Sequence, residues 1–534
     1  MPMSERPALD APEAEPRRSG PLALFLDAIE WAGNKLPHPV VLFALFAVGV
    51  VLLSGLAGWL ELSVADPRPP GARGRSADGI IRAVSLMNAA GLRRIVTHLV
   101  TNFTHFKPLG TVLVALLGVG VAEASGLLSA GIRSVVQGAP RHMVTVTVVF
   151  AGVLSNTASE MGYVVLIPLA AVIFHALGRH PMAGLAAAFA GVSGGYSANL
   201  LIGTVDPLLS GITEEAAQLI DPAYTVHPAI NWYFMCVSTF LITALGSWVT
   251  SRIVEPRLGT YDPSRAEEGV EAASLQPLTA LEKQGLIWAG VSALAVAALL
   301  ALSIVPSWGM LRNPDTGEVL NSPFLKGMVA LIFVFFFVPG WVYGRVTGTF
   351  NNHRDVVEGM ATAMGSLGLY IVLVFFAAQF VAFFSWTQLG AIVAVTGANV
   401  LKGIGLTGPL VFMPFILMCC AVNLALGSAS AQWAVTAPIF VPMLMLLGYS
   451  PEVVQAAYRI GDSTTNIVTP MMSYFGLILA FANRYDRDLG IGTLISMMIP
   501  YTLAFLAGWT VLFYLWVFGL GLPVGPGAPT FYSP

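Results

Sequence analysis

In a chain of 534 residues, 56% are hydrophobic and only 10% are charged, against roughly a quarter charged in an ordinary soluble domain. That excludes a disordered chain, a collagen, a coiled coil and a typical soluble enzyme. With 26 basic and 29 acidic residues the net charge is −3, so no basic surplus points to nucleic acid, and what remains is an integral membrane protein with many spans.

Residues 1–36 read as a polar cytoplasmic tail rather than a cleaved signal peptide, because no apolar stretch directly follows Met1 to Gly20. Arg17 and Arg18 ahead of the first span favour a cytoplasmic N-terminus. A spanning helix needs about 20 apolar residues. Pro39 to Leu60 supplies one, and Pro108 to Ile132 a second that is interrupted by Glu123. The arginine-rich loop between them, Glu61 to Lys107, is expected outside. Further spans are expected at 229–251, 284–306, 325–347, 363–384 and 492–521. A solvated loop at 253–283 separates a first half (37–260) from a second (284–534). The three cysteines, Cys236, Cys419 and Cys420, all lie in apolar runs and form no disulfide framework or metal-ligand spacing.

Two stretches do not fit simple spans. Gly403 to Pro451 carries no charge; as one helix it would run roughly 73 Å, far beyond a bilayer core of about 30 Å. His142 to Gly178 behaves alike, with only Glu160 charged in the apolar run after its basic end. Both are expected to be re-entrant hairpins (near 142–178 and 408–448). Their polar tips are Ser155-Asn156-Thr157-Ala158-Ser159 and Gly427-Ser428-Ala429-Ser430, because irregular backbone at membrane depth persists only where protein or a watery cavity satisfies it.

The two stretches also resemble each other. Pro168, Gly178, Pro181, Ala187 and Ser193 recur as Pro438, Gly448, Pro451, Ala457 and Ser463, each 270 positions on. A second polar break is expected after each, at 193–199 and at 461–466. Paired interrupted segments in two halves are the sequence pointer to a secondary-transporter site. Whether the halves are parallel or inverted does not follow from the residues.

Ionisable groups within spans cost about 2.5–3.5 kcal/mol each at a helix centre. Glu123, Glu160, Asp206, Arg459 and Asp462 must therefore be paired, hydrated or interfacial. Arg459 and Asp462, three residues apart, share a helix face and could pair. Freed carbonyls with Asn and Ser oxygens can coordinate Na⁺, and helix N-termini at the same breaks suit a carboxylate. This makes Ser155, Asn156, Thr157, Asn199, Asp462 and Asn466 a candidate cation set. Trp433, just past the second tip, could stack on an aromatic ligand or anchor the chain at a membrane interface, and Asn423 could line a cavity. His175 and His180 read as loop residues. No Walker A loop is present, so no ATP drive is encoded, and neither HExxH nor a G-x-S-x-G elbow occurs. An intramembrane aspartyl protease would need a Tyr-Asp pair within a span, whereas Tyr261-Asp262 and Tyr485-Asp486 lie in charged loops.

Four motifs in order, Ser155 through Gly162 (SNTASEMG), Asn199 through Pro207 (NLLIGTVDP), Gly427 through Ala434 (GSASAQWA) and Gly461 through Pro470 (GDSTTNIVTP), resemble the aminobenzoyl-glutamate transporter (AbgT) family. The resemblance implies an all-α membrane protein of about nine spanning helices plus two re-entrant hairpins, in two inverted halves with a scaffold and a transport core. It implies a dimer in the bacterial inner membrane that has no cofactor and uses Na⁺ or H⁺ as coupling ion. The implied activity is transport, not catalysis: import of p-aminobenzoyl-glutamate or export of sulfonamides. The family's functional positions match Asp206, Ser430, Trp433, Pro451, Asp462 and Pro470, and extend to Asn423, Arg459 and Asn466. Ser155-Asn156-Thr157 is also similar to the sodium motif of dicarboxylate symporters, the alternative reading. Ser428-Ala429-Ser430 departs from that motif at the second tip.

Overall fold

The computed structural model describes residues 37–72, 75–158, 162–262, 277–320, 322–487 and 489–533. The expected tail (1–36), Glu160 and the middle of the central loop (263–276) lie outside the described residues. Helices dominate. The strands among the described residues form a two-stranded antiparallel ribbon, β1 (Ser63–Ala65) on β2 (Ile80–Arg82).

The first half runs through α1 (Pro39–Trp59), α2 (Ala89–Thr104), α3 (Lys107–Ala124), α4 (Leu127–Gln137) and a hairpin of α5 (Val144–Ser155) and α6 (Ile167–Ala176). It continues with α7 (Pro181–Phe189), α8 (Val205–Ala217) and α9 (Trp232–Val249). A helix without a counterpart, α10 (Ala280–Ile304), follows. The second half repeats the order: α11 (Met328–Thr347), α12 (His353–Ser366), α13 (Gly368–Trp386), α14 (Leu389–Gly403), a hairpin of α15 (Phe412–Leu426) and α16 (Ala429–Met445), then α17 (Pro451–Asn466), α18 (Phe475–Asn483) and α19 (Ile491–Phe513). Among the described residues eight helices are long and apolar enough to cross a membrane, the first arm of the second hairpin (Pro409–Leu426) among them, and the other three hairpin arms are shorter apolar helices of 10–17 residues.

The repeat is visible in backbone detail. Gly178 and Gly448 both take positive φ (71° and 95°), a conformation only glycine adopts freely, and each ends a hairpin. Three residues on, Pro181 and Pro451 each open a helix, where the missing N–H costs nothing. Packing is reciprocal: α1 lies against α13, and its counterpart α11 against α3. Both α9 and α19 end in a π-helical turn, at Thr250–Val254 and Tyr514–Gly519, and the two helices pack on each other.

Each hairpin turns at its polar tip. As a helix of 12 residues, α5 reaches about 18 Å, short of the bilayer core, and the chain then turns through Asn156–Ala158. The second hairpin turns at Gly427 (φ 59°), where a β-carbon would come within 2.9 to 3.0 Å of the backbone of Met471 and Met472.

Three expectations are corrected. The span drawn from Pro108 to Ile132 breaks at the left-handed Gly126, which separates α3 from α4, and the Glu123 side chain is exposed on the single chain. The span expected at 363–384 is α13, except that its first residues, 363–366, belong to the separate α12. The polar run 461–466 stays helical, and the chain leaves α17 only at Ile467. The Thr464 and Thr465 hydroxyls donate back to the Ile460 and Gly461 carbonyls (2.7 and 2.9 Å), so their polarity is absorbed within the helix. Pro470 falls where the ladder has already ended.

Candidate functional site

The centre of the molecule is α17. Ser450 caps it, accepting from the Val453 N–H, and Pro451 occupies its first turn. All sixteen of its residues are buried, although Glu452, Gln455, Arg459, Asp462, Ser463, Thr464, Thr465 and Asn466 are polar. Packed between α15, α16, α19 and the π-helical turn Ala190–Gly194, such a helix is stable only if its polar groups find partners.

Arg459 finds its partner across the repeat. Its Nη2 donates to Asp206 Oδ1 at 2.6 Å, with both side chains buried, and its Nε donates to Asn231 Oδ1 at 3.1 Å. The other oxygen of Asp206 accepts the Gly203 N–H at 2.8 Å, at the start of α8. The pairing of Arg459 with Asp462 suggested by their spacing is therefore not made. Asp206 is itself buried and would be left without a cation, so the cross-half pair satisfies two buried charges at once.

Asn231 extends this link. Its Oδ1 also accepts from Gln455 Nε2 (2.8 Å), and its Nδ2 donates to the Glu452 carbonyl (2.8 Å). The Thr213 hydroxyl donates to Gln455 Oε1 and accepts from Trp433 Nε1 at 2.9 Å. The Glu452 carboxylate is held by the Tyr224 hydroxyl (2.9 and 3.0 Å). One network thus ties α8, the segment before α9, the second hairpin and α17. Thr213, Asn231, Gln455 and Glu452 are absent from the sequence reading. The one signal for them is their position in or beside apolar runs, where unpaired polar groups are expensive.

Asp462 is different. It is fully buried, and neither carboxylate oxygen meets a hydrogen-bond partner. The neighbouring Tyr458 hydroxyl donates instead to the Ala429 carbonyl at 2.6 Å. The backbone around Asp462 is fixed by Asn423 Nδ2, which donates to the Asp462 carbonyl (2.8 Å), Thr465 Oγ1 (3.0 Å) and Asn466 Oδ1 (2.8 Å). A buried carboxyl without a partner is stable only when it holds a proton or a cation.

At the first tip the Thr157 hydroxyl lies within donating distance of two acceptors, the Leu154 carbonyl (2.8 Å) and Asn199 Oδ1 (2.9 Å). Asn156 Nδ2 reaches the Val153 and Gly195 carbonyls (3.2 and 3.5 Å), leaving its Oδ1 without a partner. Ser155 is turned inward onto the Gly152 carbonyl (2.6 Å). The Ser197 N–H donates to Ser463 Oγ at 3.1 Å, joining this break to α17.

Between the two tips lies a cavity of about 270 Å³. Asn156 lines it from the first hairpin, Gly427 to Ser430 from the second, and Asn466, Ser473 and Tyr474 from the end of α17 and the break beyond it. The first turn of α16 opens onto it, and Ser428 makes no side-chain cap there. Pro451 and Pro470 flank the helix whose last residue, Asn466, lines the cavity, and neither proline lines it. The structure therefore brings Asn156, Ser430 and Asn466 to one cavity, joins Asp206 to Arg459 beside it, and sets Asp462 in the wall behind.

Trp433 does not face this space. It is fully buried, stacked on Tyr458 (ring centroids 4.3 Å apart, planes at 23°), with its indole N–H on Thr213. Trp433→Ala is expected to cost about 3–5 kcal/mol through the cavity it opens. Trp433→Phe keeps the stack and loses one hydrogen bond, about 1 kcal/mol. Thermal unfolding in detergent measures both; equal midpoints for the two variants would refute a packing role.

Internally repeated halves, each with a hairpin of apolar helices, and a cavity lined from both hairpin tips are the arrangement of a membrane transporter. The pattern of the family described as "AbgT putative transporter family" matches residues 24–532. The chain belongs to that family, and it is a multi-pass membrane transporter. It is 38% identical over 500 residues, covering 93% of this chain and 95% of the relative, to the p-aminobenzoyl-glutamate transport protein of Escherichia coli (strain K12). Neisseria gonorrhoeae MtrF, whose structure is described as illuminating a class of antimetabolite efflux pumps, superposes with a TM-score of 0.89 at 61% identity, covering 95% of this chain and all of MtrF. The Alcanivorax borkumensis YdaH transporter superposes with a TM-score of 0.84 at 47% identity, covering 92% of this chain and all of YdaH.

Proposed function

We propose that this protein carries p-aminobenzoyl-glutamate-like folate metabolites, with sulfonamide antimetabolites as a second cargo that shares the p-aminophenyl group. It does so as a homodimer in a bacterial inner membrane, with its N-terminus in the cytoplasm, driven by a Na⁺ or H⁺ gradient. The observation that carries this reading is the cavity between the hairpin tips. Its volume lies near the lower end of pockets that enclose drug-sized ligands, roughly 300 Å³, and its wall pairs polar tips with tyrosines. The uncapped first turn of α16 is a ready site for a carboxylate. Arg459 is occupied by Asp206 in this conformation, so the substrate carboxylates fall to the tips. Asp462 is the group suited to take the coupling ion, because its oxygens have no protein partner. Asn156, Thr157 and Asn199 form the second oxygen cluster.

The experiment is uptake of labelled p-aminobenzoyl-glutamate into proteoliposomes, with Na⁺ and H⁺ gradients imposed separately. The expected result is accumulation above equilibrium with one gradient and equilibration with neither. Accumulation of simple dicarboxylates, with none of p-aminobenzoyl-glutamate, would instead support the symporter alternative.

A further inference from the structure

The repeat pairs two aromatic residues whose surroundings differ. Trp433 lies five residues before Pro438, and Tyr163 lies five residues before Pro168, at the same separation of 270. Each sits on the second arm of its hairpin, and each stacks on an aromatic residue from the second half. Trp433 stacks on Tyr458 of α17; Tyr163 stacks on Tyr474, just past α17, with centroids 4.6 Å apart and planes only 8° from parallel. The first stack is sealed, with Trp433 and Tyr458 both fully buried and their polar atoms bonded to Thr213 and to the Ala429 carbonyl. The second stack borders the cavity: Tyr163 is buried, whereas Tyr474 is partly exposed, and both line it.

We infer that the Tyr163–Tyr474 stack, and not Trp433, is the surface that recognises the aromatic ring of the transported solute. This rests on the proposed transport of an aryl solute and names the residues that select it. Backed by the parallel Tyr163 ring, Tyr474 is held rigidly at the cavity wall and offers the outer face and edge of its ring, on which a p-aminophenyl group can lie offset or edge-on, as aromatic rings prefer. One ring comes from each half, so the platform is complete only when the first hairpin and the segment after α17 are brought together. That links the presence of an aryl solute to the relative position of the two halves. The sealed stack offers no face to a solute and serves to fasten α16 to α17.

The test is kinetic. Tyr474→Leu and Tyr163→Leu are reconstituted with the Phe variants beside them. Uptake of labelled p-aminobenzoyl-glutamate is measured with p-aminobenzoate or glutamate as competitor. The Leu variants are expected to raise KM about tenfold, near the upper end of what an aromatic contact contributes, with the maximal rate within about twofold. Inhibition by p-aminobenzoate weakens by the same factor while inhibition by glutamate is unchanged, and Phe restores both values. An unchanged KM in both Leu variants, or equal weakening toward both competitors, overturns the inference. Should a Leu variant fail to assemble, alkylation of Tyr474→Cys decides: an aryl solute slows it and glutamate does not, and equal rates with both refute the platform. If the wild-type protein moves no p-aminobenzoyl-glutamate at all, it is the functional reading that fails; an inert stack in an active transporter refutes only the platform.

Discussion

Asp462→Ala is expected to lower transport by about two orders of magnitude, with membrane expression and thermal stability at or above wild type. The combination is unusual, because most changes at fully buried positions destabilise. Asp462 is fully buried with no partner on either oxygen, so its removal leaves no orphaned donor and relieves a desolvation cost. The neighbouring clamp survives, since Asn423 bonds the Asp462 carbonyl and not its side chain. What disappears is a group that can take up a proton or a cation at membrane depth. Losing one charge-assisted contact of about 3 kcal/mol corresponds to roughly 100-fold. Asp462→Asn keeps the shape and removes the charge, so it is expected to fail equally. Uptake assays beside expression blots check this; wild-type transport by the Asn variant would show that ionisation of Asp462 is not used.

Breaking the Asp206–Arg459 pair should behave in the opposite way. Either Asp206→Ala or Arg459→Ala leaves a lone buried charge, an effect of about 3–5 kcal/mol. Both single variants should therefore express poorly and unfold at lower temperature. Arg459→Ala also removes the Nε bond to Asn231, the junction that reaches Gln455, Thr213 and Trp433, so its loss spreads to the second hairpin. The double variant Asp206→Leu with Arg459→Met replaces the pair with apolar groups and should recover stability without recovering transport. Thermal unfolding of the wild type, Asp206→Leu, Arg459→Met and their double variant gives the coupling energy, and additive single effects would contradict a direct pair.

The hairpins were legible in the sequence because their signals are local. A charge-free run too long for one helix, a cluster of small polar residues and the Pro and Gly spacing each report on nearby backbone. Gly178 and Gly448 carry their left-handed conformation in their identity. The partner of Arg459 was not legible. Asp462, three residues away, satisfies the helix-face rule, whereas Asp206 is 253 residues distant and is brought close only by packing of the two halves. The hub at Asn231 was missed for the same reason. Trp433 was read as a ligand platform because a Trp beside a polar tip looks the same whether it faces a cavity or a neighbouring tyrosine. Its repeat partner Tyr163 is also buried, but its stacking partner Tyr474 is partly exposed at the cavity. The break expected at 461–466 failed because threonine polarity can be absorbed by the helix's own carbonyls.

The central claim is that solute passes between the two hairpin tips. A reducible bifunctional thiol reagent joining Asn156→Cys to Ser430→Cys tests it most directly, since both positions line the same cavity. Uptake is predicted to fall to background when the tips are joined and to return on reduction. Undiminished transport by the fully cross-linked protein would place the route elsewhere.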